Sequence, residues 1–108
     1  MKEVGKFSLK NGGGFVTKLQ FYYIDENGHM NHRNGTGNII LGQRKSADPG
    51  DFGVPDGTLV GAYAFVVWGS DNYAKQMFTY KKGIKKTANY VITGTTLNNN
   101  LGFEDRTG

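Results

Sequence analysis

The chain has 108 residues, a net charge of +4 and no cysteine. That length sustains one core of ordinary size, and the missing thiols exclude disulfides and thiolate metal sites. Seventeen glycines with 13% aromatics exclude a disordered glycine-rich chain, which lacks that aromatic payload, and favour short strands between tight turns.

In chain order, "VGKFSLK" predicts a first strand with Phe7 and Leu9 on one face, broken by "NGGG". "FVTKLQFYYI" carries the clearest period of two. Phe15, Thr17, Leu19, Phe21 and Tyr23 share one face; Val16, Lys18, Gln20 and Tyr22 share the other. "DENGHMNHRNGTG" is a long polar excursion, and "NIILGQ" reads as a short strand. "RKSADPGDFGVPDG" is the longest loop and holds both prolines.

"TLVGAYAFVVW" is apolar on both faces and predicts a central strand covered on both sides. "GSDN" turns the chain, "YAKQMFTY" returns beside it, and "KKG" turns again. "KKTANYVITG" is a further strand with Ala88, Tyr90 and Ile92 on one face. "TTLNNNLGF" closes the chain, with Leu97, Leu101 and Phe103 as expected late core contacts. There is no heptad, no internal repeat and no linker. The expected architecture is a single all-β domain over 1–108, an antiparallel sandwich of about six to eight short strands, with a closed barrel as the alternative.

Several chemistries are weighed and set aside. "GTGNIILGQRK" has the glycine spacing of a phosphate loop, but Gln43 and Arg44 stand where lysine and a hydroxyl residue belong. His29 and His32 lie near Asp25 and Glu26, yet in a glycine-rich loop they read as solvated rather than zinc-ligating. Asp48, Asp51 and Asp56 are oxygen donors on one loop, open to calcium, but without EF-hand spacing. Ser8, Ser46 and Ser70 are the only serines, and none sits in a nucleophile elbow. No metal or cofactor is expected, and no catalytic residue is assigned. The "NGT" at Asn34 marks a glycosylation acceptor only in a secreted eukaryotic protein.

"KKGIKK" offers Lys81, Lys82, Lys85 and Lys86 as anionic-surface contacts, beside Phe78 and Tyr80. Basic groups next to aromatics suit single-stranded nucleic acid, and the same lysines suit an anionic lipid surface. The plainer reading is a lysine-rich turn that guards a sheet edge.

The segments "NGGGFVTKLQFYY", "GTGNIILGQ" and "ITGTTLNNNLGF" resemble those of small, cysteine-poor β-sandwich lectins and cytolysin-like modules. The resemblance lies in glycine-edged β segments and brings no site motif, so no binding residue is carried over from it.

Trp68, the only tryptophan, sits at the last rung of its strand beside the "GSDN" turn. Val66, Ala64 and Ala62 share its face, while Val67, Phe65 and Tyr63 share the other. An indole there either rims a site or caps the core. The candidate ligand site is Trp68, Asp71, Asn72 and Tyr73, and the loops expected to form the binding end of the sandwich are 25–37, 44–58 and 69–72. The leading expectation is a non-catalytic module that recognises a glycan or a lipid headgroup at a cell surface. Nucleic-acid binding through 81–86 and homo-oligomerisation through an exposed sheet are the alternatives. The chain as given is expected to be soluble, with no targeting segment, in the cytoplasm or released by a non-classical route.

Overall fold

A computed structural model describes residues 1–108. Ten strands form two packed sheets, and neither closes into a barrel. They are β1 (Glu3–Val4), β2 (Lys6–Gly13), β3 (Thr17–Ile24), β4 (Met30–Arg33), β5 (Arg44–Ala47), β6 (Leu59–Val66), β7 (Asn72–Tyr73), β8 (Phe78–Tyr80), β9 (Thr87–Gly94) and β10 (Asn99–Thr107). The first sheet runs β1-β8-β6-β3-β4, with β7 also on β6; the second runs β10-β9-β2-β5. The all-β sandwich expected from the sequence is therefore present, but it is mixed rather than purely antiparallel. β1 pairs with β8 and β2 with β9 in parallel.

The core lies between the sheets. Val60, Ala62, Ala64 and Val66 of β6 meet Leu19, Phe21 and Tyr23 of β3 on the inner face of the first sheet. Phe7 and Leu9 of β2 and Ala88, Tyr90 and Ile92 of β9 face them from the second. Phe7 is the aromatic hub: it packs edge-on to Phe21 and Phe78 and stacked on Tyr90. The small alanines of β6 give these rings their room, which is why an apolar strand carries so little bulk inward.

Local departures from the expected strands have identifiable causes. "NGGG" does not end β2, which continues through Gly13. Fully buried Asn11 holds it there. Its amide donates to the carbonyls of Phe15 (2.6 Å) and Ile39 (2.9 Å), and its oxygen accepts from the Gly13 N–H (2.9 Å). "NIILGQ" is not a strand: Ile39 makes one bridge to Thr17, and Ile40–Gly42 turn outward. "YAKQMFTY" pairs with β6 only in two short pieces, β7 and β8. β6 is not covered on both sides either, because Tyr63 and Phe65 on its outer face stay half-exposed. On the outer face of the second sheet, Arg44 reaches across from β5. Its guanidinium donates to Ser8 Oγ (2.7 Å) and the Tyr90 carbonyl (3.4 Å), and pairs with Glu104 at 2.5 Å.

Two stability measurements check this packing. Phe21 is fully buried, so Phe21→Ala should cost about 3–5 kcal/mol in denaturant unfolding; a loss under about 1 kcal/mol would contradict its place in the core. The Tyr90 hydroxyl is buried without a hydrogen-bond partner, so Tyr90→Phe should raise stability by about 1 kcal/mol, the desolvation penalty recovered.

Candidate functional site

The two ends of the sandwich differ in chemistry. β3 runs from Thr17, opposite Val66, to Ile24, opposite Leu59. The 67–71 turn therefore leaves at one end, and the 25–29 and 48–58 loops gather at the other, about 25 Å away along an eight-residue strand. Tyr23, Asp25, Glu26, Pro55, Asp56 and Thr58 line a shared hollow there. The three loops expected to form one site are thus divided between ends. Two also contain strands: β4 falls within 25–37 and β5 within 44–58.

At the first end, hydrogen bonds bring four turns together. The Val67 N–H donates to the Val16 carbonyl (3.0 Å), and Thr17 and Ile39 exchange backbone bonds of 3.2 and 2.7 Å. The Gly42 N–H reaches the Asn11 carbonyl (2.7 Å), and the Ser70 N–H reaches the Thr96 carbonyl (2.9 Å). The 67–71 and 95–98 turns touch so closely that a Cβ on Gly69 would stand 2.2 Å from the Thr96 carbonyl oxygen. Glycine is required there by contact.

Large apolar side chains project from this end. Trp68 is 93% exposed, Leu97 75%, Leu41 64% and Ile40 53%. The capping role for Trp68 is excluded by that exposure. Trp68 also has φ 62°, the only non-glycine residue in the left-handed region, which is strained for a bulky side chain. The turn enforces it. The Gly69 N–H closes onto the Val66 carbonyl (3.1 Å), and Asp71 accepts from the Val66 N–H (2.8 Å). Face alternation along β6 would have sent Trp68 inward with Val66; the left-handed turn sends it out. Leu97, expected in the core, is likewise turned out, while Leu101 packs partly against the core. Phe103 lies 40% exposed against Phe78 and Tyr90.

The other candidate residues do not share the tip. Asp71 is consumed structurally: one oxygen caps Val66 and the other accepts from the Tyr63 hydroxyl at 2.6 Å. Asn72 ties β7 to Asn99 through its amide (3.1 Å). Tyr73 pairs with Tyr63 and lines a separate hollow on the outer sheet face.

Lys81, Lys82, Lys85 and Lys86 stand at the opposite end from Trp68. The Lys82 N–H donates to Asp56 (2.7 Å), Lys86 Nζ to the Gly108 carbonyl (2.6 Å), and the Gly5 N–H to the Lys86 carbonyl (2.8 Å). The aromatics that would stack bases beside them are core residues: Phe78 and Tyr80 are each 1% exposed. Asp48 caps the 3₁₀ turn Pro49–Phe52 and accepts from the Tyr80 hydroxyl. Asp48, Asp51 and Asp56 form no group of three placed to hold a metal ion, and neither do His29 and His32 with their acidic neighbours. His32 instead contacts Gln20 Oε1 through Nε2 (2.7 Å) and packs on the Tyr63 ring at 4.3 Å.

No protein-family model and no curated protein matches the chain. Solved structures do. Listeriolysin O is 18% identical over 93% of this chain and 22% of that one, with a TM-score of 0.49. A disulfide-locked mutant of intermedilysin, in a structure with human CD59, is 15% identical over 93% and 24%, also at 0.49. The membrane-binding domain of pneumolysin is 14% identical over 94% and 96%, at 0.44. The chain spans about a fifth to a quarter of the length of the first two. At TM-scores below 0.5 these likenesses assign neither a family nor a ligand.

Four phenols are held protonated. Burial, then the hydrogen bond to Asp71 and its charge, raises the Tyr63 pKa to about 12. Burial is also the leading cause of the upward shifts of Tyr22, Tyr80 and Tyr90. A phenol whose folded pKa exceeds its unfolded value of about 10 stabilises the fold fully below pH 10 and loses that contribution as pH rises through the folded value. Stability should therefore fall steadily above about pH 10, and Tyr63→Phe should remove part of that alkaline loss in urea midpoints measured across the range.

Proposed function

We propose that the protein is a non-catalytic module that binds a lipid bilayer through its apolar tip. The observation that carries this reading is the set Trp68, Leu97, Ile40 and Leu41, projecting from adjacent turns at one end of the sandwich. The turns themselves carry one charged residue, Asp71, and its carboxylate is bonded within the protein. Exposed apolar side chains clustered on one surface mark an interaction site. Indole suits the membrane–water boundary, with an apolar body and a polar N–H edge. Fully burying one such side chain is worth roughly 1.5–3 kcal/mol, so four of them support reversible attachment.

Strain in the Trp68 turn supports the same reading. A left-handed tryptophan costs roughly 1–2 kcal/mol, and its side chain, 93% exposed, gains no burial in return. The lysines at 81–86 do not join this surface. Attachment by the tip directs them away from the bilayer, so the reading favours apolar insertion over attraction to anionic lipid.

Vesicle flotation tests it. The protein should float with neutral phosphatidylcholine vesicles, and Trp68 emission should shift to the blue and be quenched by brominated acyl chains. Trp68→Gly should weaken flotation at least about tenfold while leaving stability equal or about 1 kcal/mol higher, since glycine relieves the left-handed backbone. Lys82→Gln with Lys85→Gln should leave flotation on neutral vesicles unchanged. If the lysine pair, and not Trp68, controls attachment, the tip is not the binding surface. Sedimentation without lipid reports whether the tip instead pairs copies of the chain.

A further inference from the structure

A second surface has a different chemistry. On the outer face of the first sheet, Tyr22, Met30, His32, Tyr63 and Tyr73 line an open hollow of about 250 Å³. Its floor is built by a glycine. Tyr22 stands opposite Gly61 across the β3–β6 ladder. A Cβ on Gly61 would lie 2.4 Å from two carbons of the Tyr22 ring. Only glycine lets that ring lie down on the sheet, where it is 5% exposed and its hydroxyl donates to the Ala74 carbonyl. Tyr73 stands edge-on to it, with ring centroids 5.7 Å apart at 80°. The Tyr63 ring, with the His32 imidazole packed on it at 4.3 Å, forms another side.

Three polar tips of this hollow are already spent inside the protein. The Tyr22 hydroxyl donates to Ala74, the Tyr63 hydroxyl donates to Asp71, and His32 Nε2 contacts Gln20. What remains is mostly aromatic ring and thioether, with the hydroxyl of exposed Tyr73. A sugar brings many hydroxyls that need fixed donors and acceptors, and few are offered. A quaternary ammonium carries positive charge but no N–H, and it is attracted by ring faces alone. The charge balance agrees: no lysine or arginine lines the hollow, and the Asp71 carboxylate accepts from the Tyr63 phenol at 2.6 Å.

We infer that this hollow is an aromatic cage for a trimethylammonium group, the chemistry of choline and its phosphoesters. The site is distinct from the tip and stands or falls separately from it. Tyr63 lies three residues along β6 from Val66, about 10 Å back from the end of the strand. The group is therefore either a phosphatidylcholine headgroup beside the inserted tip or a soluble choline ester.

Nuclear magnetic resonance of the Met30 methyl group tests it, because that methyl belongs to the lining. Choline, tetramethylammonium and phosphocholine should each shift it along a saturating curve, while ammonium and a panel of methyl glycosides should not. Tyr73→Ala should weaken the curve about tenfold. Tyr63→Phe, which keeps the ring, should bind nearly as the parent does, and Tyr63→Leu should not. Trp68→Gly should leave the curve unchanged, which separates this site from the tip. A Met30 shift on phosphatidylcholine vesicles, absent on phosphatidylglycerol vesicles, identifies the lipid as the source. A shift with soluble phosphocholine alone identifies the free ester. No response to tetramethylammonium, or a response to a methyl glycoside in its place, overturns the assignment.

Discussion

The apolar end of this molecule depends on one buried amide. Asn11 is wholly enclosed, and its side chain bonds three backbone groups from the 13–16 and 39–43 segments. Buried backbone carbonyls must find donors, and turns rarely supply their own. One asparagine supplies them to two turns at once. Ile39 is thereby fixed beside Thr17, and Thr17 is the first rung of the ladder with β6. The position of Ile40 and Leu41, and the seat on which the Trp68 turn rests, follow from that amide. An apolar surface that must remain outside a core needs such polar pins, because hydrophobicity alone would fold it inward.

The two ends of the sandwich divide the chain's chemistry. Apolar side chains gather at the Trp68 end, and the lysine-rich turn lies at the other with Asp48, Asp56 and both chain termini. Arg106 Nε donates to the Glu3 carbonyl (2.9 Å), and Gly108 receives Lys86. A module attached by the first end presents the second to solvent. Asp25, Glu26, Asp48, Asp51 and Asp56 offset the lysines there, while Lys10, Lys18, Arg44 and Lys45 stand along the strands, so the net charge of +4 is spread over the molecule.

Much of the architecture was legible because period two is a strong signal. The face of Thr17, Leu19, Phe21 and Tyr23 lies inward as the alternation requires, and so does that of Ala88, Tyr90 and Ile92. Alternation fails where the backbone leaves the strand. Trp68 and Leu97 both follow strand-like runs, yet turns rotate them out, and no periodic rule carries across a left-handed residue. The mixed pairing was hidden for a different reason. Antiparallel neighbours announce themselves through short turns, whereas β2 and β9 are joined by most of the chain. The aromatic hollow was hidden as well, since Tyr22, Gly61 and Tyr73 become neighbours only through ladder register. The single hint was Gly61, a glycine inside an apolar strand, which signals close approach of another group.

The parallel pairing of β2 with β9 sets the order in which the molecule becomes complete. Both central strands of the second sheet must be present before it has an interior, and their contact is sealed by Ser8 donating to Asn89, 81 residues later. Loop closure over such a separation comes before any reward from contact, so the sheet forms slowly and late. β3 and β6 can pair earlier through a shorter loop, and until β9 arrives their inner face has no cover. Between the completion of β6 at Val66 and that of β9 at Gly94 the growing chain therefore carries an open apolar sheet, and Phe7 waits on β2 for the Tyr90 ring that completes its stack. Folding of the second sheet waits on β9.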